Sequence, residues 1–111
     1  MAINLKRLVA GSQLTAVAAT YYTATNVRTQ IQAMTLTNTT AGAVTATVYL
    51  VPSGGSATAS NTILSAKSLA AGESYKVIEA IGQTLEAGGT IQALASAATS
   101  ISMVASGVEI T

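Results

Sequence analysis

Of the side chains able to move protons or hold metals, this sequence offers four glutamates, three lysines, two arginines and four tyrosines, and no histidine, cysteine or aspartate. Glu73 and Glu79 flank a stretch that reads as a strand. Their even spacing places them on one face, with Lys76 on the other. That pattern fits a solvated, weakly paired rim. Nothing near it marks the sugar cleft that would make two carboxylates a glycosidase pair. Zinc wants His or Cys and calcium wants clustered carboxylates, so no metal site is expected. Gly54-Gly55 and Gly88-Gly89 read as turn glycines, because neither sits in a strand–loop–helix unit with a following lysine as a phosphate loop does. No catalytic residue and no cofactor is assigned, and the chain reads as a non-enzyme.

The tyrosines suggest contact instead. Tyr21 and Tyr22 are adjacent, and neighbours on a strand face opposite ways, so only one can join a core. The other is a rim residue or an interface residue, a role tyrosine favours. Tyr49 raises the same question together with Val51. A sugar-binding platform needs several exposed aromatics, and with no tryptophan the sequence gives it little support.

The elements that must position these residues show a period of two. Val44, Ala46, Val48 and Leu50 form an inward set; Thr45, Thr47, Tyr49 and Val51 form the alternate one. Pro52 ends that strand. Val27 to Asn38 reads as a strand of mixed apolar parity, so either a bulge lies near Ala33 or both of its faces are covered. Asn38 to Gly42 is expected to join the two as a hairpin loop, with Gly42 supplying a positive φ. Further strands are expected at Thr62 to Leu69, Glu73 to Ile78, Thr90 to Ala95 and Ile101 to Ile110, the last bent at Gly107. A helical turn is expected at Gln83 to Glu86. Leu14 to Thr20 is the one rival helix, opposed by Thr15, Val17 and Thr20.

About seven or eight short strands separated by regular turns indicate an all-β fold, a single antiparallel β-sandwich of Ig-like or jelly-roll-like type. The expected organisation is an N-terminal arm or first strand over residues 1–20 and a β-sandwich domain over 21–111. Ile3, Leu5, Leu8 and Val9 surround Lys6 and Arg7, and the arm is the favoured form because termini order poorly unless tied down. Removing Met1 to Ala10 is then expected to leave the sandwich folded.

Charge sets the class of partner. Only 8 % of residues are charged and the net charge is +1, against a typical charged share of about 25 %. Thr29 to Ala66 contains no charged residue at all. Five scattered basic residues make no nucleic-acid stripe. No apolar run reaches the length of a membrane span. The N-terminus imitates a signal peptide, but Gly11, Ser12, Gln13 and Thr15 interrupt its apolar stretch. A near-neutral chain is poorly protected against association, so the expected partners are proteins, with homo-oligomers among them. Leu5, Lys6, Arg7, Leu8, Tyr21, Tyr22, Tyr49 and Val51 are the candidate interface residues.

The order of "YYTAT" (Tyr21 to Thr25), "IQAMTLTNTT" (Ile31 to Thr40), "VTATVYLVP" (Val44 to Pro52), "SLAAGESY" (Ser68 to Tyr75), "LEAGGTI" (Leu85 to Ile91) and "ASGVEI" (Ala105 to Ile110) resembles a group of small tailed-bacteriophage virion proteins with an immunoglobulin-like β-sandwich. The resemblance covers most of the chain after Tyr21. It rests on strand and turn patterns, so it carries over no catalytic residue. It implies a virion location and a decoration or cement role on the head shell, in contact with the major capsid protein or other virion proteins. The alternatives are a neck, tail or fibre-attachment component, and an adhesive or carbohydrate-binding sandwich.

Overall fold

The computed structural model of the chain describes residues 2–111; Met1, the first residue of the 1–20 segment, lies outside the described residues. Among them are nine strands: β1 (Ile3–Gln13), β2 (Ala19–Thr23), β3 (Arg28–Asn38), β4 (Val44–Val51), β5 (Thr62–Leu69), β6 (Ser74–Lys76), β7 (Thr84–Leu85), β8 (Thr90–Ala95) and β9 (Ile101–Ile110). They form two sheets, one in the order β1-β9-β3-β6 with β7 also paired to β3, the other in the order β2-β8-β4-β5. Every pairing is antiparallel. The chain passes between sheets from β1 to β2, from β2 to β3, from β3 to β4, from β5 to β6, from β7 to β8 and from β8 to β9. That winding is a jelly roll, whereas an immunoglobulin sandwich keeps its first two strands in one sheet.

The core lies between the sheets. Ile31, Met34, Leu36, Ile101 and Met103 enter it from the first sheet, and Ala46, Val48, Leu69, Ile91 and Ala93 from the second, all fully buried. Burying one such large aliphatic side chain contributes about 1.5–3 kcal/mol. The alternation read from Val44 to Leu50 is what this packing requires: Val44, Ala46 and Val48 are core, and Leu50 packs against it half-buried.

β3 bulges at Gln32, between the pairs Ile31–Gly107 and Ala33–Ser106, which explains its change of parity. Gly107 lies where β9 is crowded. A Cβ there would stand 3.0 Å from Leu8 Cδ1 and collide with the Gln30 carbonyl oxygen.

Four expectations change. The connection from Asn38 to Gly42 is no hairpin, because β3 and β4 belong to different sheets. It is a corner held by the buried Asn38 side chain. Its Nδ2 donates to the Gly42 oxygen at 2.8 Å and the Leu69 oxygen at 3.0 Å. Its Oδ1 accepts from Thr40 N at 3.0 Å and Thr40 Oγ1 at 2.7 Å. A side chain closes the corner, so Gly42 is not among the glycines of positive φ. Second, the helical turn precedes the expected place: a 3-10 turn forms at Ile78–Ala80, and Thr84–Leu85 pairs with β3 instead. Third, Glu73 and Glu79 share no strand face. Glu73 Oε1 accepts from Ala70 N at 2.7 Å in a turn, and Glu79 lies in the 3-10 turn.

Fourth, the N-terminal segment forms a strand. β1 pairs along β9 from Ile3–Ile110 to Gln13–Ser102, with shifts after Arg7 and Val9. It places Leu8 and Val9 in the core, at 7 % and 2 % exposure. The burial of that pair is the physical reason it is no arm.

Candidate functional site

The two sheets present outer faces of different character. Residues opposite each other across strands share a face. On the second sheet the outward rows are Thr47 with Leu94, Thr23 with Thr90, and Tyr49 with Gln92 and Thr62; Thr20 also opposes Gln92, and Ser68 opposes Thr45. None of these ten residues is charged. On the first sheet the outward rows include Leu5 with Val108 and Gln30, Arg7 with Ser106 and Ala33, Ile3 with Ile110 and Arg28, and Thr35 with Lys76. That face carries Arg7, Arg28 and Lys76 and no acidic residue in these rows.

The candidate interface residues separate on this scaffold. Leu5 is 81 % exposed, and Arg7 stands exposed on the same outer face. Tyr49 is half-buried in the neutral face of the second sheet. Tyr21 sits at the bulge between Thr20 and Tyr22, half-buried against the core, its hydroxyl accepting from Thr15 N at 3.0 Å. Leu8 and Tyr22 are core residues and Val51 is buried, so as surface contacts these three are corrections. Leu8 turns inward at the shift after Arg7. Val51 keeps the outward parity read for it, but its own following loop covers it: a Cβ on Gly55 would meet Val51 Cγ1 at 3.4 Å.

Tyr22 has the most developed environment. From β2 it reaches across to the first sheet, where its hydroxyl bonds Thr29 Oγ1 at 2.7 Å and donates to Glu109 Oε2. Lys6 Nζ pairs with the same Glu109 oxygen at 3.3 Å and stands 6.0 Å from the Tyr22 ring centroid. Burial, reinforced by the Glu109 contact, pushes the Tyr22 phenol up to about 12. The Tyr22 hydroxyl, and secondarily Lys6, holds the Glu109 carboxyl below its ordinary range against the opposing effect of burial. This cluster joins β1, β2, β3 and β9 and ties the sheets together at one end. Sequence reasoning missed Glu109 and Thr29, which lie 87 and 7 residues from Tyr22.

Glu86 Oε2 pairs with Arg28 Nε at 2.8 Å. A cleft of about 350 Å³ lies among Leu50, Val51, Ser53, Asn61, Gln83 and Glu86. Hydroxyls, amides and apolar groups line it, together with that one paired carboxylate. Among the described residues no group of three or more acidic residues gathers to hold a metal, and no helix is long and apolar enough to cross a membrane.

No family profile matches the chain, and no curated protein does. Solved structures do. One, described under "Bacillus endospore appendages form a novel family of disulfide-linked pili", is 21% identical with a TM-score of 0.56, covering 98% of this chain and 88% of that one. A second, from infectious bursal disease virus, described as "Crystal structure of infectious bursal disease virus VP2 subviral particle", is 20% identical with a TM-score of 0.39. It covers 98% of this chain and 32% of that one, so this chain spans about a third of its length. The structural neighbours are thus a pilus protein and a viral capsid protein, and the likeness to the first is one of fold.

Proposed function

We propose that the protein is a non-enzymatic structural subunit of a tailed-bacteriophage virion, a decoration or cement protein that stabilises the head shell by subunit contacts. The observation that carries this reading is the uncharged outer face of the second sheet, where Thr45, Thr47, Tyr49, Gln92 and Leu94 stand in register. A face without charge loses little solvation when another protein covers it. A contact of ordinary size buries about 800 Å² per partner, and repetition over a shell multiplies modest affinity through avidity. The strand and turn resemblance motivates the phage assignment, although the jelly-roll winding departs from the immunoglobulin-like sandwich of that group, and the jelly roll is a fold that capsid proteins use.

A second reading, a subunit of an extracellular filament, is favoured by the pilus protein with a TM-score of 0.56. Those pili are disulfide-linked. This chain has no cysteine, so a filament built from it would be held by non-covalent contacts.

The test is an image reconstruction of the phage particle. Density for the chain repeated over the head shell is the expected result. A single ring at the neck or tail would move it to those structures, and its absence from particles would overturn the reading.

A further inference from the structure

Opposite edges of the first sheet carry patches that complement each other. One edge is β1. Ile3 and Leu5 are 64 % and 81 % exposed there, and Arg7 follows on the same outer face. The other edge runs from β6 to β7 along β3. It leaves the ladder as a hump: Val77 N donates to the Met34 oxygen at 2.9 Å, Gly82 N donates to the Ile31 oxygen at 2.7 Å, and the 3-10 turn Ile78–Ala80 projects between. Ile78 and Ile81 are 66 % and 42 % exposed on this hump, with Glu79 between them.

Each patch therefore combines two exposed aliphatic side chains with one charge outside any ion pair, Arg7 on β1 and Glu79 on the hump; Lys6 on β1 is paired with Glu109, and Lys76 flanks the hump on β6. Among the described residues neither Arg7 nor Glu79 belongs to an ion pair. The Glu79 carboxylate receives the Tyr75 hydroxyl at 3.4 Å. The row of Arg7 passes through Ser106 to Ala33, beside which the hump sits, while the rows of Leu5 and Ile3 reach Gln30 and Arg28, towards β7. Of the other edges, β2 bulges between Thr20 and Tyr22, and β5 is broken where Ala66 takes a φ of 46.

We propose that the β1 edge of one copy docks on the Ile78–Ile81 hump of the next, with Ile3 and Leu5 covering Ile78 and Ile81, and Arg7 meeting Glu79. Two β1 edges would gather basic charge, so the β1 patch does not favour its own kind and finds its counter-charge at Glu79 on the hump. A contact between unlike patches on one subunit is heterologous and repeats into a ring or a filament. The proposal rests on the reading of the chain as a repeating structural subunit, and names how its copies meet. The contact is small, so repetition must hold the assembly together.

The test uses sedimentation of the purified full-length chain with Leu5→Asp and Ile78→Asp, each checked for an unchanged melting midpoint. The parent should grow beyond a dimer as concentration rises, and each variant alone should stay monomeric. Mixed together, they should form a heterodimer and nothing larger, because each retains the patch that the other has lost. Arg7→Glu should weaken the parent contact about tenfold, and adding Glu79→Arg should bring it back to within about threefold. A parent that stays monomeric to its solubility limit, either aspartate variant assembling like the parent, or a mixture without heterodimer would overturn the proposal. The two readings fail separately: a monomeric chain found on phage heads sinks only the head-to-tail contact, and an assembling chain absent from particles sinks only the virion assignment.

Discussion

Tyr22→Phe removes a single oxygen from the tie between the sheets and opens no cavity. The hydroxyl makes one bond to a carboxylate, Glu109, and one to a neutral partner, Thr29. A hydrogen bond to a charged group contributes about 1.5–3 kcal/mol and a neutral one about 0.5–1.5 kcal/mol. Some of this is recovered, since the Glu109 side chain is 15% exposed and keeps Lys6. Thr29, fully buried, recovers nothing. The net loss should be about 2–3 kcal/mol, which in a chain of this length lowers the melting midpoint by about 10 °C. Circular dichroism melts of both proteins give that number. The pH dependence carries a second signature. A carboxyl held below its ordinary 4.5 when folded contributes stability that is present above that value and is lost as pH falls through the folded value. The Tyr22 hydroxyl is the largest cause of the depression, so Tyr22→Phe should flatten the acid limb. On the alkaline side the phenol is raised from 10.0 to about 12. Its contribution is complete below 10.0 and is lost as pH rises through about 12. A midpoint within about 2 °C of the parent, with the acid limb unchanged, would refute the view that this cluster fastens the sheets.

Other parts of the fold give equally direct expectations. Asn38→Ala strips four hydrogen bonds from a buried corner and should cost about 3–4 kcal/mol in denaturant unfolding; a change below about 1 kcal/mol would show that water replaces the side chain. Gly107→Ala drives a methyl group into the Gln30 carbonyl and should yield little folded protein on expression; a soluble variant with parental melting would show that β9 can move away from β3. Removing Met1 to Ala10 takes Leu8 and Val9 from the core and uncovers β9, so the truncated chain should lose its cooperative melt; a retained one would return the segment to the role of an arm. Tyr49→Glu puts a charge on the neutral outer face of the second sheet and should impair incorporation into particles with a melting shift of no more than about 3 °C; a large drop would place Tyr49 in the core.

What the sequence disclosed was local. Val44 to Leu50 alternates because one face of β4 meets the core, and that periodicity is visible without knowing the partner strand. The bulge in β3 was legible as one of two readings: Ile31 and Met34 both point inward, and an extra residue between them is what allows it. The hidden features depend on what the chain meets elsewhere. A loop from Asn38 to Gly42 has the same composition whether it returns to its own sheet or crosses to the other. Leu8 and Tyr22 resemble surface contacts until β9 and Glu109, about a hundred positions later, arrive to cover or bond them. The hump at Ile78 to Ile81 escaped notice because two isoleucines beside a strand look like core until β3 is seen to pass beneath them.

The run without charge from Thr29 to Ala66 combines two structural situations. β3 lies inside the first sheet between β9 and the β6–β7 edge, and β4 lies inside the second between β8 and β5. Four of the five basic residues sit instead on open strands, Lys6 and Arg7 on β1, Lys67 on β5 and Lys76 on β6, and the fifth, Arg28, opens β3 at its first position. Lysines there discourage uncontrolled edge-to-edge pairing, and central strands have no such need. That accounts for the inward halves of β3 and β4, but not for the outward half of β4. Thr45, Thr47 and Tyr49 are turned away from the core, and a charge at any of them would be solvated at little cost in the isolated protein. Neutrality there has a physical use once another protein covers the face, because each buried charge would then lose its hydration. The inward half of β4 explains how the chain folds, and the outward half is the part that the proposed assembly role would use.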